Sequence, residues 1–176
     1  KIFNMNIFKK IEKKNYSFIS QKNNLICLLI IILIFVSDRI SKIKIINHQI
    51  DNNRVYINDF MNFDLVWNTG IGFGLLSSNS NLVYNLITII IGAIIIFLIY
   101  LIVKSNFLDK TLFSLVMGGA LGNFYDRLVY FAVPDFIDIH YQNFHWFTFN
   151  IADIFITIGI IMLISKDLFL KNGKNL

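Results

Sequence analysis

Four apolar stretches of bilayer-crossing length divide this chain, and they constrain its fold more than any other feature. They run from about Leu25 to Ile46, Leu82 to Val103, Thr111 to Val133 and Ile151 to Leu170. A helix rises about 1.5 Å per residue, so roughly 20 residues cross a hydrocarbon core about 30 Å thick. Apolar residues make up 56% of the 176, and mean hydropathy is +0.62. That leaves too little polar surface for a soluble domain of this size. The pattern predicts an all-α membrane protein with four transmembrane helices. The connection over about 47–81 is too long for a turn. Val55-Tyr56-Ile57 and Phe63 to Trp67 have strand-like composition, which predicts a small periplasm-facing β cradle there. One membrane domain over 25–176 follows a basic tail, 1–24.

Charge placement orients the helices. The net charge of +5 lies between apolar runs rather than in one basic patch, which fits membrane topology and not nucleic acid. Lys1, Lys9, Lys10, Lys13, Lys14 and Lys22 precede the first helix. Lys104 and Lys110 lie between the second and third, and Lys166, Lys171 and Lys174 near the C-terminus. Four crossings put these three regions on one side, the cytoplasm by the positive-inside rule. The chain is then multi-pass with both termini cytoplasmic. The basic start resembles a signal peptide, but no small-x-small cleavage site follows it, so the first helix is read as retained.

Ionisable groups at membrane depth are expensive and are function candidates by default. Asp38 and Lys42 are one helical turn apart, acid first, which is the favourable order for an ion pair. Asn123 and Asp126 share a face of helix three, with Arg127 pointing elsewhere. The Gly118/Gly122 spacing allows close helix approach. Asp135 lies just past that helix, with Asp138 three residues on and expected to be more exposed. Asp153 sits in the first turn of helix four, where an acid complements the dipole and Asn150 can cap. Capping alone needs one acid in water, whereas apolar residues flank Asp153 on both sides. Closing the outer connection brings Asp135 and Asp153 to similar depth. Two carboxylates in one site share a proton: one activates water while the other polarises a carbonyl, which is peptide hydrolysis without metal or covalent intermediate. A bell-shaped pH profile belonging to the pair is expected.

Other signals carry less. Asn68-Thr69-Gly70 looks like the Asp-Thr-Gly of soluble aspartic proteases, but Asn cannot ionise. Gly70, Gly72 and Gly74 lack the remainder of a nucleotide fingerprint. His48, His140 and His145 lack zinc-ligand spacing, so neither metal nor cofactor is expected. Cys27, the single cysteine, reads as a small buried apolar residue.

Taken in order, five motifs add up. They are Asp38-Arg39-Ile40-Ser41-Lys42, Asn68-Thr69-Gly70-Ile71-Gly72-Phe73, the run Gly118 to Arg127, Val133-Pro134-Asp135-Phe136, and Phe149 to Asp153. With them the chain resembles the lipoprotein signal peptidases, or signal peptidase II, over nearly its whole length after the tail. Arg39 stands where that family usually has Gln, Gly72 where it has Ala, and Phe131 where Gly is frequent. The resemblance implies a catalytic dyad of Asp135 and Asp153. Asn68, Gly70, Asn123, Arg127 and Asn150 line or support the site, and Asp38 with Lys42 gives an ion pair with a secondary role toward substrate headgroups. It implies cleavage of a diacylglyceryl-modified prolipoprotein on the N-terminal side of the modified cysteine, near the outer leaflet. Membrane lipids are implied as partners, as is a cyclic peptide inhibitor of the globomycin type. Two other classes compete: a small transporter or proton-conducting protein using the deeper acids Asp38 or Asp126, and a non-catalytic assembly factor using the Gly118/Gly122 face.

Overall fold

The computed structural model describes residues 22–49, 54–70, 81–142 and 144–172. The tail before Lys22, and Gly72, Phe73 and Gly74, lie outside the described residues. Four helices and one sheet make up the fold: α1 (Lys22–Gln49), β1 (Val55–Asn58), β2 (Met61–Asn68), α2 (Asn81–Lys104), α3 (Phe107–Tyr130), β3 (Val133–Tyr141), β4 (Phe144–Phe149) and α4 (Ile151–Asn172). The sheet is antiparallel in the order β1-β2-β3-β4. Its first two strands are those expected from 47–81. Its other two come from the second outer connection, for which no strands were expected.

Helix α3 begins earlier than its apolar pattern, because Asn106 caps it by accepting from the Asp109 N–H at 3.1 Å. It also ends at Tyr130 rather than at Val133. Phe131 stops it in the left-handed region, at φ 56° and ψ 21°, a conformation that suits glycine and costs other residues about 1–2 kcal/mol. The sharp turn frees Val133 to pair with Asn68 and start β3.

The bundle buries ionisable groups as well as an apolar cluster of Ile95, Leu98, Val116 and Met117, and its outside is apolar. Asp38, Lys42, Asp126, Arg127, Asn150 and Asp153 are buried, while Leu33, Ile89, Ile96, Phe97 and Ile161 are exposed. Such a surface is costly in water and suits hydrocarbon. By length and composition alone, one helix among the described residues, Leu82–Lys104, is long and apolar enough to cross a membrane. The other three carry ionisable residues on their buried faces.

Contacts at the two ends of the bundle set its direction. At one end Lys110 of α3 donates to Asn24 of α1 at 2.8 Å, and Lys166 of α4 pairs with Asp109 of α3. At the other, Gln49 closes α1 by donating to the Phe63 carbonyl (2.9 Å) and accepting from the Leu65 N–H (2.7 Å), which docks the sheet.

Glycines let α3 sit between α1 and α4. A Cβ at Gly118 would lie 2.8 Å from Ile34 Cβ of α1, and one at Gly122 would lie 2.5 Å from the Asp38 carboxylate. At Gly119 it would collide with the Ala152 carbonyl oxygen of α4, a backbone atom that cannot swing away. Gly119→Ala is expected to lose about 1–3 kcal/mol, read as a lower unfolding midpoint in detergent. A midpoint equal to wild type would refute the close α3–α4 packing.

Candidate active site

Asn150 builds the centre of the site. It stands between β4 and α4, fully buried, and caps the helix reciprocally with Asp153. Its side-chain oxygen accepts from the Asp153 N–H (3.0 Å), while its own N–H donates to the Asp153 carboxylate (3.2 Å). This is the capping-box arrangement with Asp in place of Glu. The same Asn150 amide donates from Nδ2 to Asp135 Oδ1 at 2.6 Å. One side chain therefore touches both acids and holds them together.

Further amides complete the frame. Asn68, at the end of β2, donates to Asp135 Oδ2 (2.9 Å) and accepts from the Gly70 N–H (2.8 Å). Asn123 on α3 donates to Asp153 Oδ1 at 2.8 Å. Arg127, one turn later, donates to the Gly70 carbonyl, and the Arg127 carbonyl accepts from Tyr84 OH of α2 at 2.7 Å. The Arg127 guanidinium also faces the Tyr84 ring, 5.7 Å from its centroid. Its Nε and Nη1 are buried without a hydrogen-bond partner among the described residues, so two donors remain for a ligand.

Beneath the acids lies an ionic cluster. Lys42 Nζ donates to Asp38 (2.7 Å), Asp126 (2.7 Å) and Asn123 (2.9 Å). Lys42, Asp38 and Asp126 are all 0% exposed. Arg39 pairs with the second oxygen of Asp126 and rests on the Tyr125 and Tyr130 rings, 4.6 and 5.6 Å from their centroids. The residue that departs from the usual Gln thus gives the cluster two cations for two anions. Asp38 also accepts from the Ala152 N–H at 3.0 Å, capping α4 from another helix.

All nine residues expected at the site therefore join one network. Asp135, Asp153, Asn68, Gly70, Asn123, Arg127 and Asn150 form its upper part, with Asp38 and Lys42 behind them. Sequence reasoning did not find Tyr84 or the cap that Asp38 supplies, since both contacts span helices with no local signature. Asp138, expected to be the more exposed of the two acids on this strand, is 4% exposed against 2% for Asp135, and both are buried because β3 lies between β2 and β4. The hairpin pairs His140 with His145, and with Asp138 their donor atoms lie within 4.8 Å of one another.

Burial pushes the Asp135 carboxyl up to about 7, and the neighbouring Asp153 charge adds to the rise, against the lowering effect of the Asn68 and Asn150 amides. A carboxyl whose folded value is raised stabilises the fold fully at acid pH, and that contribution is lost as pH rises through about 7. Wild type should therefore lose midpoint relative to Asp135→Asn between pH 5 and 8, in thermal unfolding in detergent. Parallel curves would refute the raised value. The cluster below has its own test. Lys42→Met leaves two buried carboxylates short of a cation and should cost about 3–5 kcal/mol. An unchanged unfolding midpoint would count against the cluster as drawn.

Two buried carboxylates tied to one asparagine, one of them able to keep a proton near neutrality, are the equipment of an aspartic hydrolase. Comparison with known proteins agrees. The Signal peptidase (SPase) II family profile matches residues 30–169. A lipoprotein signal peptidase from Pelagibacter ubique (strain HTCC1062) is 49% identical over 158 residues, covering 89% of this chain and 95% of that protein. One from Francisella tularensis subsp. novicida (strain U112) is 40% identical over 147 residues, covering 80% and 89%. A bacterial membrane enzyme solved by the in meso method at 2.3 Å resolution superposes with a TM-score of 0.67 at 33% identity, covering 85% of this chain and 90% of that one. The chain belongs to the signal peptidase II family of aspartic peptidases, the lipoprotein signal peptidases.

Proposed function

We propose that this chain removes signal peptides from prolipoproteins by cutting on the N-terminal side of a diacylglyceryl-modified cysteine, with Asp135 and Asp153 as its catalytic dyad. The observation that carries the reading is that Asn150 bonds both carboxylates, Asp135 through its side-chain amide and Asp153 through its backbone N–H. The pair holds one proton. Its ionised member takes a proton from water as the water attacks the scissile carbonyl carbon, and its protonated member donates to the carbonyl oxygen. The resulting diol collapses when a proton reaches the leaving nitrogen. Asn68, Asn123 and Asn150 hold the acids in place. Arg127, whose Nε and Nη1 have no partner among the described residues, would donate to the peptide backbone.

The membrane arrangement in this reading is four crossings, with the sheet toward the periplasm and the dyad near the outer leaflet. The apolar exterior of the bundle supports it, as do the lysines gathered at the end away from the sheet: Lys104, Lys110 and Lys166. Both termini are then cytoplasmic. The substrate's signal peptide enters from the lipid, and the diacylglyceryl chains on the cysteine that follows it remain there. A globomycin-type cyclic peptide would act by filling the peptide path over the dyad.

The test is cleavage of a diacylglyceryl-modified prolipoprotein by purified protein in detergent. Asp135→Asn and Asp153→Asn should each lower the rate on the order of 10²–10⁴-fold while keeping a cooperative unfolding transition. Full activity in either folded variant would remove the dyad assignment. Failure of folded wild type on lipid-modified substrates would return the transporter reading to the front.

A further inference from the structure

The outer hairpin carries a second constellation, away from the paired acids. Asp138 and His140 lie two apart on β3 and so project from one face of the sheet. His145 on β4 pairs directly with His140, and the two rings stack with centroids 5.3 Å apart. Asp138 Oδ2 lies 2.8 Å from His145 Nδ1 and 3.8 Å from His140 Nδ1. One donor atom from each residue fits within a 4.8 Å circle. Ligand atoms about 2.0–2.2 Å from a tetrahedral zinc stand about 3.3–3.6 Å apart. The triad therefore needs only small rotations of its side chains to enclose an ion.

Independent observations point to a ligand. The His140 side chain is nine-tenths buried, and its Nδ1 has no hydrogen-bond partner among the described residues. A buried ring nitrogen without a partner is costly unless something fills the place. Asn62 stands directly across β2 from Asp138, and its Oδ1 is likewise buried with no partner. Two orphan polar atoms thus sit beside a carboxylate on the same patch of sheet. His145, by contrast, has a half-exposed side chain, which leaves an entry path from solvent.

We propose that Asp138, His140 and His145 form a binding site for a divalent transition-metal cation, zinc foremost, that clips β3 to β4. Two imidazoles and one carboxylate are a borderline donor set, suited to zinc, copper or nickel and poorly suited to magnesium or calcium, which prefer oxygen. Three protein ligands leave the fourth position for water. The ion's role is structural: it fixes the hairpin whose inner strand carries Asp135 three residues upstream of Asp138. It takes no part in the hydrolysis, and the site stands or falls apart from the peptidase reading.

The experiment is zinc titration of the purified, tag-free full chain in detergent after chelator treatment, followed calorimetrically and repeated with cobalt, whose visible spectrum reports imidazole ligation. Wild type should take up one equivalent of zinc and unfold at a higher temperature when loaded. His145→Gln, a half-exposed position that leaves folding intact, should weaken uptake at least about tenfold and abolish the temperature gain. Asp138→Asn and His140→Gln should act alike, and His48→Gln should bind as wild type does. No stoichiometric uptake by folded wild type would overturn the site, as would undiminished uptake by His145→Gln. Preference for magnesium or calcium over zinc would overturn the class of ion.

Discussion

A single ammonium group holds this bundle together. Lys42 is wholly buried and bonded to Asp38, Asp126 and Asn123. Removing such a group from water is affordable only when several oxygens replace its hydration shell. Those oxygens come from α1 and α3, and Asp38 in turn caps α4. Three helices are thus positioned by one charge, and the glycines of α3 let the backbones approach closely enough for the contacts to form. In hydrocarbon, burial of apolar area does not distinguish one helix pairing from another. Directional polar contacts must do so, and here they do.

The paired acids are positioned by the same device carried upward. Asn123 accepts from Lys42 and donates to Asp153, so cluster and site share a residue. Asn150 then links Asp153 to Asp135, and Asn68 links Asp135 to Gly70. Amides suit this work. Each is both donor and acceptor, and none adds a charge beside the paired acids.

Sequence made some of this legible and hid the rest for physical reasons. The helices were visible because apolar length is a direct readout of burial in lipid. The residues of the buried polar network were visible because acids and amides inside apolar runs are costly and hence informative, and because five ordered motifs carried a family resemblance. The β3–β4 hairpin was not visible. Val133 to Phe136 continues the apolar run of α3, and only the left-handed turn at Phe131 separates the two elements. The near-complete burial of Asp138 was hidden for the same reason, since it lies on an inner strand of a sheet whose second half was not foreseen. The meeting of His140 with His145 depends on strand register, and the cap of α4 by Asp38 on contact between helices far apart in the chain. Neither leaves a local trace.

Asn150 gives this architecture a single point of failure. One side chain begins the last helix and spans the two acids. Folding and chemistry therefore cannot drift apart at that position, because a substitution that loosens one loosens the other. A lineage could tune its helices, its lipid-facing surface or its outer hairpin gradually. At this residue it has no gradual route, and its freedom to vary is set by the stricter of two demands met by the same amide.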